Sequence, residues 1–476
     1  MSLRQLIITA LLWVSFAIHG QNKQLLYDFV EIPQAAMINP GVATDFQWYT
    51  GIPALSGISF QAGSSGISAN DIFANDGLDI NDKIRDRAIS SMSPRDELSG
   101  TFQLEILNFG FRGRNPDNFF TAGMYIEGDA IGYWFRDYAI LAFEGNADRL
   151  NQRFDLGHLK TRGELVNVFH FGVNKKVDDD LTIGLRGKLY SSMLDFRSTK
   201  NKGFFVTREG QNNIFESTLN ADMRSQSSGF NEVRNAADNG TLGSVLTKRA
   251  LFGGNLGLGL DFGFTYHLNE QTVVTGSLLD LGFIYHANDV FNYSLKGDTT
   301  IEGIEIVLPG AVSNPDTDFW QDLIDEVEGF LPFEGDRKKY LAFRPTKLYA
   351  SLRYNFGEPL DRRANCECGV NASRNSIRSK YTNSLGGQLY MVNRPRGPQM
   401  ALTAFYQRRF GNFMALKTTY TVDKFSYTNI GLGLNLQAGP VNIYAMADNL
   451  LAYRNIAASR YASFQLGLNI ISWGRN

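Results

Sequence analysis

Few residues in this chain carry reactive groups at spacings that chemistry can use. Cys366-Glu-Cys368 sets two thiols one residue apart, and a bridge across so short a span is strained and labile; in an oxidising compartment a disulfide is the expected state. A metal would need further ligands, and no histidine lies nearby in the sequence. His158, His170, His267 and His286 are scattered, without the His-Glu-x-x-His of a zinc hydrolase or the Gly-x-Ser-x-Gly elbow of a serine hydrolase. Asp316-Thr-Asp318 lacks the glycine and distal glutamate of a calcium loop, so it reads as a helix cap. Gly257, Gly259 and Gly263 alternate along a strand-like segment with no helix behind them, which removes a dinucleotide loop. The expectation is a non-enzymatic chain with no cofactor and no metal. A membrane hydrolase assembled from separated Ser, His and Asp residues stays open as an alternative.

The elements that would position these residues alternate with period two. From Asn255 to Leu268 one face reads Leu256, Leu258, Leu260, Phe262, Phe264, Tyr266, and the other is small and polar, with Gly257, Gly259, Asp261, Gly263 and Thr265. Lys347 to Phe356 sets Leu348, Ala350, Leu352, Tyr354 and Phe356 against Lys347, Tyr349, Ser351, Arg353 and Asn355. Between Ser426 and Ala438, Ile430, Leu432, Leu434 and Leu436 oppose Asn429, Gly431, Gly433 and Asn435. Segments of about ten residues suit tilted strands crossing an outer membrane. A soluble sandwich gives the same alternation with its apolar side inward, so periodicity alone does not choose.

Composition and the ends narrow the choice. The 476 residues include 47 Gly, 35 Phe and 20 Tyr but only 13 Pro and 2 Cys, which suits strands and tight turns. A net charge of −2 without basic runs gives no reason to expect nucleic acid. Residues 1–20 carry Arg4, an apolar stretch from Leu6 to Ile18 and Gly20, the layout of a secretory signal. Beyond them no run of eighteen apolar residues exists to make a spanning helix. A membrane location therefore demands a closed barrel.

Fourteen strands are predicted, near 46–61, 98–112, 117–128, 158–176, 181–197, 254–268, 272–286, 343–357, 380–393, 399–409, 412–422, 426–438, 440–448 and 460–473. Connections after even strands are mostly tiny, whereas 62–97, 129–157, 199–253 and 287–342 are long and follow odd ones. That asymmetry fits short periplasmic turns and long extracellular loops; the stretch from Glu358 to Ser379 is the exception. The predicted fold is an all-β, antiparallel transmembrane barrel over 46–476, with residues 21–45 as a plug or periplasmic segment. Pro33, Asn39, Pro40, Gly41 and Pro53 interrupt the chain before the clear strands and are candidate plug residues. Arg186, Lys188, Asp261, Asp280, Lys347, Arg353 and Asp448 fall on lumen-facing positions, and their mixed signs argue for a filled interior over an ion-selective pore. Trp320, Leu323, Ile324, Val327 and Phe330 recur at helical spacing in a long loop, as a helix packed on the barrel mouth or a surface for another protein.

Ile32-Pro-Gln-Ala-Ala-Met-Ile-Asn-Pro-Gly41 and Gly51-Ile-Pro-Ala-Leu-Ser-Gly-Ile-Ser59 resemble the opening of a Bacteroidota outer-membrane family of unknown function. They are similar, more distantly, to the Asn-Pro-Ala openings of PorP-type and PorV-type proteins of type IX secretion and of FadL-type fatty-acid transporters. Ser277-Leu-Leu-Asp280-Leu-Gly282 and Asp448-Asn-Leu-Leu resemble later motifs of the same group. Gly41 stands where the better-known relatives carry alanine. The resemblance implies a barrel of about fourteen strands with its N-terminal segment in the lumen, embedded among outer-membrane lipid and lipopolysaccharide. Two functions follow as expectations: a subunit of a multi-protein complex for secretion or outer-membrane protein assembly, with other outer-membrane or periplasmic proteins as partners, or a FadL-like transporter of small hydrophobic solutes.

Overall fold

In the computed structural model, which describes residues 23–210, 215–302, 334–360 and 380–473, the alternating segments close on themselves. The fourteen wall strands are β1 (Phe46–Gly51 continued by Ile58–Ser64), β2 (Glu97–Arg112), β3 (Asn118–Tyr133), β4 (Thr161–Lys176), β5 (Leu181–Glu209), β6 (Asn255–His267) and β7 (Thr272–His286). They continue with β8 (Tyr340–Phe343 and Lys347–Pro359), β9 (Tyr381–Arg394), β10 (Gly397–Phe410), β11 (Met414–Val422), β12 (Asn429–Ala438), β13 (Val441–Asp448) and β14 (Tyr461–Trp473). Each pairs antiparallel with its neighbours, and β14 returns to β1 through Phe46↔Trp473 and Phe60↔Phe464. Closure leaves the ring of wall strands without an edge, so its backbone hydrogen bonds are met internally.

Burial settles which face looks out. Leu258 is 59% exposed while Asp261, on the other face of β6, is fully buried. Leu352 on β8 is 54% exposed beside buried Arg353. A soluble sandwich would show the reverse; an apolar exterior around a polar interior is the arrangement lipid requires. Among the described residues no helix is long and apolar enough to cross a membrane.

The register shifts at several places along the strands, and two breaks in alternation bear on the lumen and the plug. Between Leu278 and Leu281 the β7 register against β6 shifts, and Asp280 adopts φ +59°. Both Leu279 and Asp280 consequently point inward. In β1, residues 52–57 loop out between the two halves, and Pro53, Ala54 and Leu55 are exposed on the outer wall. Pro53 is therefore a wall residue and not part of the plug: a proline, lacking an N–H, is placed where the ladder is already interrupted.

The turns joining β2 to β3, β4 to β5, β6 to β7, β10 to β11 and β12 to β13 lie at one end with Phe46 and Trp473. β8 ends and β9 begins at this end too; residues 361–379, with Cys366 and Cys368, lie outside the described residues. The opposite, loop end is more structured than its length suggests. β5 runs on to Glu209 where a loop was expected from 199, and pairs with Phe215–Ser228, which pairs with Val290–Glu302. Short helices at Ala69–Phe73 and Arg136–Glu144 pack beside this ribbon around Ile89, Ile140, Phe154 and Phe205. Trp320, Leu323, Ile324, Val327 and Phe330 lie outside the described residues, as do residues 1–20.

Candidate functional site

The site is the lumen, and residues 23–45 fill it. Leu25, Leu26, Tyr27, Phe29, Ile32, Met37 and Ile38 form an apolar core with inward side chains of the wall, among them Tyr125, Val168, Tyr349, Tyr390 and Met446. Glycines make the room. Leu25 and Phe29 lie against Gly431 and Gly433, where a Cβ would meet them at 3.1 and 3.3 Å.

Asn39-Pro40-Gly41 has a seat of its own. Asn174, Gly184, Gly263 and Ser277 stand side by side across β4, β5, β6 and β7. Asn39 Oδ1 accepts from Gly41 N at 2.9 Å, closing the turn, and Asn39 Nδ2 donates to the Phe264 carbonyl at 3.1 Å. Asn174 Nδ2 donates to the carbonyls of Pro40 (2.9 Å) and Val42 (2.7 Å), Thr265 Oγ1 to that of Gly41 (2.8 Å) and Ser277 Oγ to that of Ile38 (2.7 Å). The proline fixes φ and spares a buried donor; the two wall glycines let the turn approach backbone to backbone. Pro33 lies in the buried chain leading into the short helix Ala35–Ile38.

The rest of the plug is held by charge. Arg353 Nη1 reaches Asp28 Oδ1 at 2.8 Å, so this lumen cation serves the plug and not a wall carboxylate. Arg409 pairs with Glu31. Lys417 Nζ donates to the Tyr27 carbonyl at 2.6 Å and sits over the Phe405 ring. Burial alone would raise the Glu31 carboxyl, but Arg409 and then Lys380 overcome it and bring it down to about 2. Burial pushes the Lys23 ammonium down to about 8, against the pull of Glu127.

Between the plug and the loop end a chain of alternating charges crosses the lumen. Arg186 pairs with Asp261 (2.5 Å), Asp261 with Lys188 (3.0 Å), Lys188 with Asp280 (2.6 Å) and Asp280 with Lys347 (3.1 Å). Lys347 then meets Glu127 (2.8 Å) and Glu127 meets Arg344 (2.9 Å), which pairs with Glu164. Arg186 also binds the plug, donating to the carbonyls of Ala36 and Met37. Arg394 and Asp129 pair nearby at 2.5 Å. Asp448 stands apart and takes its hydrogen bond from Ser463 Oγ at 2.7 Å. Glu127 and Asp129 were legible on β3, where they share with Tyr125 the face opposite Ile126 and Gly128. Arg344 was not, because it lies in the break of β8.

Two cavities flank this filled zone. One of about 1400 Å³ opens at the loop end. Another of about 1350 Å³ lies at the turn end and touches the plug at Asp28, Glu31 and Asp45. A void of about 40 Å³ beside Lys23, Met37 and Lys188 lies between them, room for about one water.

One cluster resembles catalytic machinery. Ser228 Oγ lies 2.7 Å from His286 Nδ1, and His286 Nε2 lies 3.9 Å from Asp195 Oδ1. Tyr340 OH donates to Asp195 at 2.8 Å. Ser228 and His286 are fully buried, and neither lines any of the three cavities described above, so no substrate reaches the hydroxyl in this conformation. The histidine–carboxylate distance exceeds a hydrogen bond. Among the described residues no three His, Cys, Asp or Glu side chains group to hold a metal.

A closed antiparallel ring with an apolar exterior, a polar interior and its own N-terminal segment in the lumen defines a plugged fourteen-stranded transmembrane β-barrel. Within that class the chain belongs to the family of unknown function DUF5723, whose model matches residues 40–448. No curated protein matches it in sequence. Among solved structures it is similar to the toluene transporter TbuX of Ralstonia pickettii, at 11% identity and a TM-score of 0.38, covering 93% of each chain. A FadL homologue of Pseudomonas aeruginosa gives 8% identity and a TM-score of 0.40 over 93% of this chain and 94% of that one. The translocator domain of the autotransporter NalP from Neisseria meningitidis gives 8%, 0.31 and 92% of each. These likenesses are distant and span barrels of different activity.

Proposed function

We propose that the protein is a gated transporter of the bacterial outer membrane, with its turn end in the periplasm and its loop end at the cell surface, and with residues 23–45 as the gate. One observation carries the reading. Cavities of about 1400 and 1350 Å³ lie at the loop end and the turn end of the barrel, and the N-terminal segment, which lines the second, lies between them with the ion pairs of the lumen. A barrel that served only as an inert wall anchor would have no need of two chambers. The path is closed in this conformation, so a solute crosses only when the segment shifts.

For the solute, the lining favours a polar class, and the small hydrophobic solute expected from the sequence stays as the second reading. By residue type both linings are mostly charged or polar, with Arg95, Arg153 and Lys160 at the loop end and Arg112, Lys176 and Arg353 at the turn end, and covering those groups with an apolar solute costs solvation. Membership of a secretion or assembly complex was expected from the family resemblance and from apolar anchors in the long loops, of which Trp320 and its neighbours lie outside the described residues.

The test is swelling of proteoliposomes in small sugars, for the full chain and for a variant lacking residues 23–42. The full chain should swell no faster than protein-free liposomes, and the deletion variant should swell rapidly. If the deletion variant inserts and remains impermeable, the segment is not the gate.

A further inference from the structure

The loop-end cavity is built from seven stretches of chain, at 94–95, 133, 153–160, 199–203, 222, 395–399 and 424. Seven basic side chains and two acidic ones line it. Both carboxylates are already engaged: Asp222 faces Lys200 at 3.3 Å, and Asp155 accepts from Gly157 N at 2.7 Å with His158 beside it. Lys424 is matched by Glu97, at 2.9 Å, from outside the lining. Among the described residues no ion pair involves Arg95, Arg153, Lys160 or Lys202. The cavity thus keeps an excess of about four positive charges in a concave, partly screened space.

Its floor is shaped as well as charged. The Arg396 guanidinium lies over the Tyr133 ring, 4.5 Å from its centroid, and donates to the carbonyls of Gly157 (3.2 Å) and His158 (3.1 Å). Pro94, Pro395 and Pro398 stiffen the rim. Four like charges without counterions repel one another, and a walled cavity raises that repulsion above its value on an open surface. Such an arrangement is relieved by a multivalent anion.

We propose that this cavity binds a ligand bearing several phosphate or carboxylate groups, carried either on a soluble oligoanion or on the sugar head of an outer-membrane lipid. About 1400 Å³ exceeds the roughly 300–1000 Å³ of a drug-sized pocket, so the cavity has room for an anion larger than a single phosphate. The proposal rests on the reading of the loop end as the side where solute is collected, and it names the solute's charge.

Binding is measured without any transport step, so the two readings fail separately. The full chain in neutral detergent is titrated calorimetrically with sodium tripolyphosphate at low and at high salt. Saturable binding that weakens with salt is expected, roughly tenfold weaker or more in the Arg153→Gln/Lys202→Gln variant. Arg337→Gln/Lys339→Gln, exposed basic residues that do not line the cavity, should leave it unchanged. Repeating the titration in phosphatidylcholine nanodiscs with and without lipid A assigns the source: suppression by lipid A points to a lipid head, no suppression to a soluble oligoanion. Absence of saturable binding at low salt, or equal losses in both variants, overturns the proposal.

Discussion

The seat of the Asn39-Pro40-Gly41 turn gives the sharpest handle on the proposed gate. A Cβ added at Gly184 would lie 2.1 Å from the carbonyl of Pro40, and one added at Gly263 would lie 2.1 Å from Asn39 Oδ1. Ordinary contact begins at 3.4 Å, so Gly184→Ala with Gly263→Ala drives the turn off the wall by more than an ångström. Four hydrogen bonds go with it: Asn39 to Phe264, Asn174 to Pro40 and to Val42, and Thr265 to Gly41. At about 1 kcal/mol each the docked plug loses about 4 kcal/mol, roughly a thousandfold in the ratio of docked to undocked. The wall survives, because both methyl groups point into the lumen and the Gly184↔Gly263 pairing is unaltered. Single-channel recording in planar bilayers should show openings in the double variant that are undetectable in the native protein. Gly187→Ala is the control, since its Cβ would find its nearest atom at 4.0 Å. An open fraction equal to that of the control, in a double variant that folds and inserts, would refute the assignment of this turn as the plug's anchor.

Two more outcomes can be checked. Glu31 is held at about 2 against an ordinary 4.5; a depressed carboxyl contributes docking free energy that is complete above its ordinary value and is lost as pH falls through its folded one. Plug release, read as channel opening or as protease cleavage within residues 23–45, should therefore be flat from neutral pH to about pH 4.5 and rise between there and about 2, with Glu31→Gln removing the dependence. For the sealed Ser228–His286–Asp195 cluster, the native chain should hydrolyse neither phospholipid nor chromogenic esters. A hydrolytic activity abolished by Ser228→Ala would give the cluster a chemical role that its burial denies.

The strand pattern, and with it the antiparallel barrel, was open to reading in the sequence because each residue in a strand has only two faces to choose from. Leu256 to Tyr266 and Gly257 to Thr265 declare two faces without help from any other part of the chain. Turn lengths then order the strands, and the count of fourteen follows. Local signals stop where a contact joins distant residues. Nothing near Pro53 distinguishes a plug proline from one in a wall bulge; the pairing of β1 with β14 on either side of it does. Asn39-Pro40-Gly41 announces a tight turn, but that it rests on Gly184 and Gly263 depends on β4, β5 and β6 lying side by side. Lys347 and Arg353 are both inward by parity. Only the closed ring brings one to Glu127 and the other to Asp28, and only the folding of seven separate stretches at the barrel mouth gathers uncompensated cations into one cavity.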